Sequence, residues 1–431
     1  MSRVSSTNLA VSAIAASLVA PAAPLRIGLI GFGCVGQGLY DILQRLPGFG
    51  AEVRRIAVKN PDKSRSLPAS AFSFQADELL QDKELDVLVE VIDDAAEAFR
   101  LVSAALCQGR RVVTANKAMV AQHLPELIAL EQQFGGTLLY EAAVCGSIPV
   151  IRTLDAYFGQ EPLRSVSGIF NGSSNYVLTR MGEDASEYAA ALAEAQQKGF
   201  AETDPTLDMA AFDPRSKAVI LAAHAYGVLL QPEQVLNLGI ENVSATDIAY
   251  AAVANQKIKV VAGLYLLPNH QLTVLVTPQL VDPTSPLYSV DDEFNGVVIE
   301  AEFAGTQFLR GRGAGGHPTG SAVLADLAAL RANQRYAYAK LARPQLSYTS
   351  DLELEIYLRT DDELILDQLG FTDITEEADE DGYIVGFVPL DALIQHRDRL
   401  RKAGAFVART GNVRPATAHA ADTLELATAA E

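Results

Sequence analysis

Cysteine is scarce: the 431 residues hold three, Cys34, Cys107 and Cys145, far apart and with no C-x-x-C pair. An odd, sparse count argues against a disulfide framework and a structural zinc site, and points to a reducing compartment. Positive charge is short as well, with 34 Lys and Arg against 53 Asp and Glu and a formal net charge of −19. So acidic a surface repels phosphate backbones and anionic lipid, which speaks against nucleic-acid and membrane partners. It leaves room for an anionic ligand in one locally positive pocket. The alanine-rich stretch Leu9 to Ala23 falls short of the roughly 20 apolar residues that span a bilayer. It imitates a signal peptide only faintly, because a strand begins at Leu25 without a spacer. Residues 1–24 read as a disordered leader, and the protein as cytoplasmic. No internal repeat occurs, and no low-complexity tract precedes the tail.

Hydrophobic residues make up 49% and charged residues 20%, the balance of a globular protein of two or three domains. From Leu25 the chain alternates short β-branched runs with helical stretches. LRIGLIG is followed by a helix through Leu43, and further strands are predicted at Val53–Val58, Leu85–Ile92, Arg110–Ala115 and Gly136–Val144. That alternation predicts a Rossmann-type parallel sheet with both faces covered, over residues 25–150 and completed by about 310–335. After Pro149 come a strand, LRSVSGIF, two helices, SEYAAALAEAQQKG and SKAVILAAHAYG, and strands from roughly Lys257 to Phe303. This is an α+β domain, 151–309, for substrate and dimerisation. Its open sheet suits a homodimer or homotetramer. A third unit, 346–410, has the order β-α-β-β-α-β of the ferredoxin-like pattern. Residues 413–431 read as a disordered Ala/Thr-rich tail.

Gly31-Phe32-Gly33-Cys34-Val35-Gly36 is a G-x-G-x-x-G between a strand and a helix. Gly31 permits the tight turn, Gly33 lets the backbone approach a pyrophosphate, and Gly36 allows close helix–strand packing. The helix N-terminus offers N–H donors and positive dipole to the phosphates. Such turns also arise for steric reasons alone, but this one opens an alternating α/β region. The second strand ends Val58-Lys59-Asn60, with no carboxylate where NAD's ribose would be held. Lys59 therefore leans the reading to NADP(H) over NAD(H), although a solvated surface lysine would look the same.

Moving a hydride at an alcohol carbon requires a partner for the hydroxyl proton, and a lysine in the right surroundings serves. Two stand out. Lys117 follows a strand's carboxyl end, where α/β folds place ligands. Lys217 lies in an apolar helix just after Glu202, Asp204, Asp208 and Asp213, four acids within twelve residues. Such density suits a substrate ammonium group, or else is a solvated acidic turn.

The ordered segments GFGCVGQG, VVTANKAMVA, YEAAVCGSIPVIRTL, GIFNGSSNYVLTRM, AQQKGFAETDPTLDMAAFDPRSKAVILA and GRGAGGHPTGSAV together resemble homoserine dehydrogenase, from Leu25 to Leu330. The resemblance implies reversible NAD(P)-dependent interconversion of L-homoserine and L-aspartate 4-semialdehyde, in threonine and methionine biosynthesis. It places Lys217 as proton donor or acceptor and Lys117 beside substrate and nicotinamide as a second candidate. Glu202, Asp208 and Asp213 match the acids that hold the substrate. A monovalent cation, sodium or potassium, would be bound largely by backbone carbonyls of Glu141, Val144, Gly146 and Ile148, and Gly315 would return to the cofactor. The chain departs from the family in places. Asp93-Asp94-Ala95 stands where Gly-Gly-Thr is common, and Ala211 where glycine is usual. The third unit resembles a degenerate ACT domain, with Thr360-Asp-Asp-Glu in place of the D-x-P-G-V-L effector turn.

Three residues read as structural: His224 as a packed core histidine, Tyr176 as a core aromatic or a substrate neighbour, and Cys145 as a small packed residue. A related dehydrogenase of the same architecture and a silent dinucleotide sensor are the competing functions. Retention of both lysines and all four acids speaks against the sensor.

Overall fold

The computed structural model describes residues 23–343, 346–378, 382–416 and 424–425. The leader read over 1–24, apart from residues 23 and 24, lies outside the described residues, as does most of the tail. The N-terminal sheet consists of β1 (Leu25–Ile30), β2 (Ala51–Ala57), β3 (Phe72–Ser73), β4 (Val87–Glu90), β5 (Arg111–Thr114) and β6 (Thr137–Leu139). All pairings are parallel and the order is β3-β2-β1-β4-β5-β6, the Rossmann arrangement. A sheet covered on both faces demands continuous apolar runs, and every residue of β4 is buried. Helices α1 (Cys34–Arg45), α2 (Ala95–Cys107) and α3 (Lys117–Phe134) cross between the strands.

The middle region holds α4 (Gly172–Asp184) and α5 (Phe212–Tyr226) against an antiparallel sheet. Its strands are β7 (Leu163–Ile169), β8 (Lys257–Leu267), β9 (Gln271–Val281), β10 (Phe294–Ala301) and β11 (Gly305–Arg312). Ile220 and Leu221 of α5 share a core with Val166, Leu264, Val274 and Val276 of that sheet. Burying each such side chain stabilises the fold by about 1.5–3 kcal/mol, which fixes the helix that carries Lys217. Helix α6 (Gly316–Arg331) then returns to the first sheet, where Val323 and Leu327 pack with Leu39 and Leu43 of α1 and Ile27 and Leu29 of β1. The sequence pattern predicts neither α4 nor β11.

The last unit is β12 (Leu352–Arg359), α7 (Glu363–Leu369), β13 (Asp373–Ala378), β14 (Tyr383–Pro389), α8 (Leu390–Lys402) and β15 (Phe406–Pro415), the element order expected. It does not stand apart. β15 pairs with β9 in parallel at Gln279 and Arg409, so its strands extend the middle sheet in the order β11-β10-β7-β8-β9-β15-β12-β14-β13. Two other expectations need correction. The strand predicted over Gly136–Val144 stops at Leu139, and Glu141–Ala143 makes a 3₁₀ turn. Residues 413–415, placed in the tail, continue β15, and Leu424–Glu425 pairs with it. Among the described residues no helix is long and apolar enough to cross a membrane.

Candidate active site

Gly31 has φ +103, and a Cβ there would lie 2.7 Å from the Val91 carbonyl oxygen. A Cβ on Gly36 would lie 2.5 Å from the Gly31 carbonyl oxygen. Both clashes are with backbone, which cannot give way, so glycine is required at each for the turn to close on β4. Phe32 is buried and Cys34 is exposed at the first turn of α1. No side chain caps that helix at Gly33, so its first N–H groups remain open to an anion. Gly315 caps α6, and the start of that helix reaches α1: a Cβ on Gly316 would be 2.8 Å from the Cys34 carbonyl oxygen. Two helix N-termini thus meet at the glycine loop, with Val35 half-buried beside them. Lys59, just past β2, is exposed, with its ammonium 3.9 Å from the Asp94 carboxylate. Asp94, at the departure from Gly-Gly-Thr, caps α2 by accepting the Glu97 N–H.

The two lysines converge on one carboxylate. Asp213, 4% exposed in the first turn of α5, has Lys217 Nζ at 2.7 Å from Oδ2 and Lys117 Nζ at 2.5 Å from Oδ1. Lys217 is one turn along the same helix and also donates to the Phe170 carbonyl at 2.6 Å, where β7 ends. Lys117 arrives from the other domain as the first residue of α3, at the carboxyl edge of the parallel sheet. Burial opposes Asp213's charge, but the two ammonium groups and the Asn171 amide outweigh it and hold the acid well below the usual carboxylate range. Asp213 in turn is the main reason Lys117 is raised above the ordinary lysine value, with Asp208 and Glu202 adding to it.

Asp208 has a different environment. Burial and the neighbouring charge of Asp213 raise it. Its direct partner is Asn171, whose amide donates to Asp208 at 2.7 Å and to Asp213 at 2.9 Å. The sequence reading missed Asn171, although asparagine before Gly-Ser-Ser is an N-cap signal, and its Oδ1 accepts the Ser174 N–H to cap α4. Glu202 is exposed at the rim. Asp204 caps its own turn through Thr206 and stands outside the cluster. Ala211 has φ 60, the left-handed conformation that glycine takes without cost, so the departure from glycine leaves a strained residue immediately before α5.

Glu141 is turned inward. Its carboxylate accepts the N–H groups of Ile151 and Arg152, each at 2.9 Å, and burial pushes it up to about 7. In the following loop Cys145 and Gly146 both have positive φ, and the loop packs on Gly313. The Glu141 carbonyl accepts from Val144 and that of Ile148 from Val150, whereas the Val144 and Gly146 carbonyls accept no backbone hydrogen bond among the described residues. Oxygen donors of this kind suit a hard cation. No cluster of three His, Cys, Asp or Glu side chains among the described residues could hold a metal. Cys145 is buried and its thiol is pushed up to about 12, an inert residue as read. His224 meets Tyr140 at 2.8 Å and Asp155 at 3.4 Å, a satisfied core histidine. Tyr176 is tied to Glu194 and Lys198, each at 2.7 Å.

Two family models match the chain: the NAD-binding domain of homoserine dehydrogenase over residues 31–141 and homoserine dehydrogenase over 149–328. A homoserine dehydrogenase of Corynebacterium glutamicum is 38% identical over 326 residues, 73% of each chain. The crystal structure of one from Thiobacillus denitrificans superposes with TM-score 0.75 at 28% identity, covering 90% of this chain and 97% of that one. A hyperthermophilic archaeal homoserine dehydrogenase in complex with NADPH superposes with TM-score 0.61 at 27% identity, covering 75% and 99%. A glycine-rich dinucleotide turn and two lysines on one buried aspartate, in a chain so related over most of its length, place this protein in the homoserine dehydrogenase family of NAD(P)-dependent oxidoreductases.

Proposed function

We propose that this chain interconverts L-homoserine and L-aspartate 4-semialdehyde with Lys217 as the proton-handling group and Lys117 as its partner from the other domain. The observation that carries this is the sharing of Asp213 by two lysines, one from each domain, at 2.5 and 2.7 Å. The dinucleotide, when bound, supplies or accepts the hydride. Lys217, buried and oriented by Asp213 and the Phe170 carbonyl, gives its proton to the carbonyl oxygen on reduction and takes it back on oxidation. Lys117, held charged by the acids around it, stabilises negative charge building on that oxygen. Asp208 makes no ion pair among the described residues, so the substrate ammonium completes it, with Glu202 closing the rim. Asp213 orients the lysines.

Gly31 to Gly36 and Gly315, at the uncapped N-termini of α1 and α6, would hold the dinucleotide's phosphates. The Val144 and Gly146 carbonyls, with those of Glu141 and Ile148, would hold a monovalent cation in the loop beside the site. The assembly is a homodimer or homotetramer in the cytoplasm, and the last unit is a degenerate ACT domain. Lys59 favours NADP(H), since a cation at the end of β2 meets a 2′-phosphate. Homoserine oxidation assayed with NADP+ and NAD+ in parallel is expected to run better with NADP+. Lys59→Glu is expected to lower kcat/KM for NADP+ by about 10-fold or more while sparing NAD+, because an exposed carboxylate then faces the phosphate. An unchanged ratio in the variant would remove Lys59 from cofactor selection. No turnover of homoserine with either cofactor, despite cofactor binding, would favour the sensor.

A further inference from the structure

Glu90 closes β4 and is wholly buried. A buried carboxylate without a cation is costly, so its hydrogen bonds must hold it. One oxygen accepts the Thr114 hydroxyl and the other the Ile92 N–H at 2.7 Å. The Thr114 oxygen also accepts the Asn116 N–H at 3.0 Å, on the lone pair turned away from Glu90. Asn116 then does two things. Its amide donates to the Ile92 carbonyl at 3.1 Å, closing a ring of four residues, and its Oδ1 accepts the Met119 N–H at 2.9 Å, capping α3. Lys117 is the first residue of that helix.

We propose that Glu90 is a positioning residue for Lys117, acting through Thr114 and Asn116 to set the first turn of α3 so that the ammonium reaches across to Asp213. The proposal rests on the role given to Lys117 above. Both Thr114 and Ile92 donate to Glu90, so the ring is tightest when the carboxyl is ionised and both bonds are charge-assisted. Protonation removes that charge and weakens both bonds. Burial pushes Glu90 up to about 7, against the Thr114 hydroxyl and the Ile92 amide, and no charged group of the described residues enters its balance. The ring therefore loosens as pH falls through neutrality, and turnover falls with it.

The test uses the full chain and steady-state reduction of L-aspartate 4-semialdehyde from pH 5.5 to 9, the direction in which Lys217 acts protonated and adds no acid limb of its own. Wild type is expected to show an acid limb in kcat with a midpoint near 7. Glu90→Gln, which keeps the shape but sets an amide against one donor, is expected to lower kcat by about 10–100-fold, as a displaced reactive group does. It should leave the KM for the semialdehyde within twofold or so and abolish that limb. In a Lys117→Ala background Glu90→Gln should cost nothing further. Should Glu90→Gln fail to fold, Thr114→Val removes only the hydroxyl and takes its place, with Thr114→Ser expected to restore activity. Additive losses with Lys117→Ala, or an unchanged acid limb in Glu90→Gln, would overturn the proposal while leaving the lysine's role intact. Near-normal turnover of Lys117→Ala alone would overturn the lysine's role, and Glu90's with it.

Discussion

Lys217→Ala is expected to lower turnover of homoserine by about 10²–10⁴-fold with the fold intact, the span of a lost general acid–base group. The lysine's ammonium has two partners, the Asp213 carboxylate and the Phe170 carbonyl, and its stem lies in an otherwise apolar helix whose other buried residues anchor it to the middle sheet. Truncation leaves Asp213 paired with Lys117 and Asn171, so the buried carboxylate is not stranded. The loss should therefore fall on chemistry more than on stability. Lys217→Arg makes the sharper comparison. It keeps a cation on Asp213, but a guanidinium does not release its proton in this range, so it should be nearly as slow as the alanine variant. Steady-state rates beside circular-dichroism melts would decide it. Full turnover in a folded Lys217→Ala protein would assign the proton to another group.

The pattern of residues carried the N-terminal sheet well. A glycine-rich turn after a buried strand, followed by regular alternation, has few other solutions, and the observed strand order is the one it implies. Lys117, Asp208, Asp213 and Lys217 were legible as candidates because charge in an apolar or strand-end setting is conspicuous. Their convergence was not, since Lys117 and Asp213 belong to different domains and no periodicity reports a contact between them. The end of β6 shows a second limit. GTLLYEAAV reads as a strand throughout, but the Glu141 carboxylate captures the Ile151 and Arg152 amides and bends the chain after Leu139. Asn171 and Glu90 escaped for a third reason. One is an ordinary N-cap and the other sits in an ordinary strand, and only the side chains facing them from remote segments make them part of the site. The join of β9 to β15 likewise rests on one register pair, Gln279 with Arg409, that neither strand's own sequence announces.

Asp213→Asn is expected to damage both activity and stability, and pH separates the two. The substitution preserves shape but removes the charge that two ammonium groups share at 2.5 and 2.7 Å. Lys217 is then a buried cation with a carbonyl for company, and breaking a buried pair in this way typically costs about 3–5 kcal/mol. Turnover should fall by roughly 10³-fold or more, because neither lysine keeps its place against the substrate oxygen. The linkage follows from the direction of the shift. Asp213 is held below its unfolded value of roughly 4, so its contribution to stability is complete above that pH and drains away as pH falls toward its folded value. Urea unfolding at pH 5 should therefore show a large gap between wild type and Asp213→Asn, and at pH 3 a smaller one. A gap of equal size at both would mean that the asparagine harms packing, and that the ion pairs do not hold this corner of the fold together.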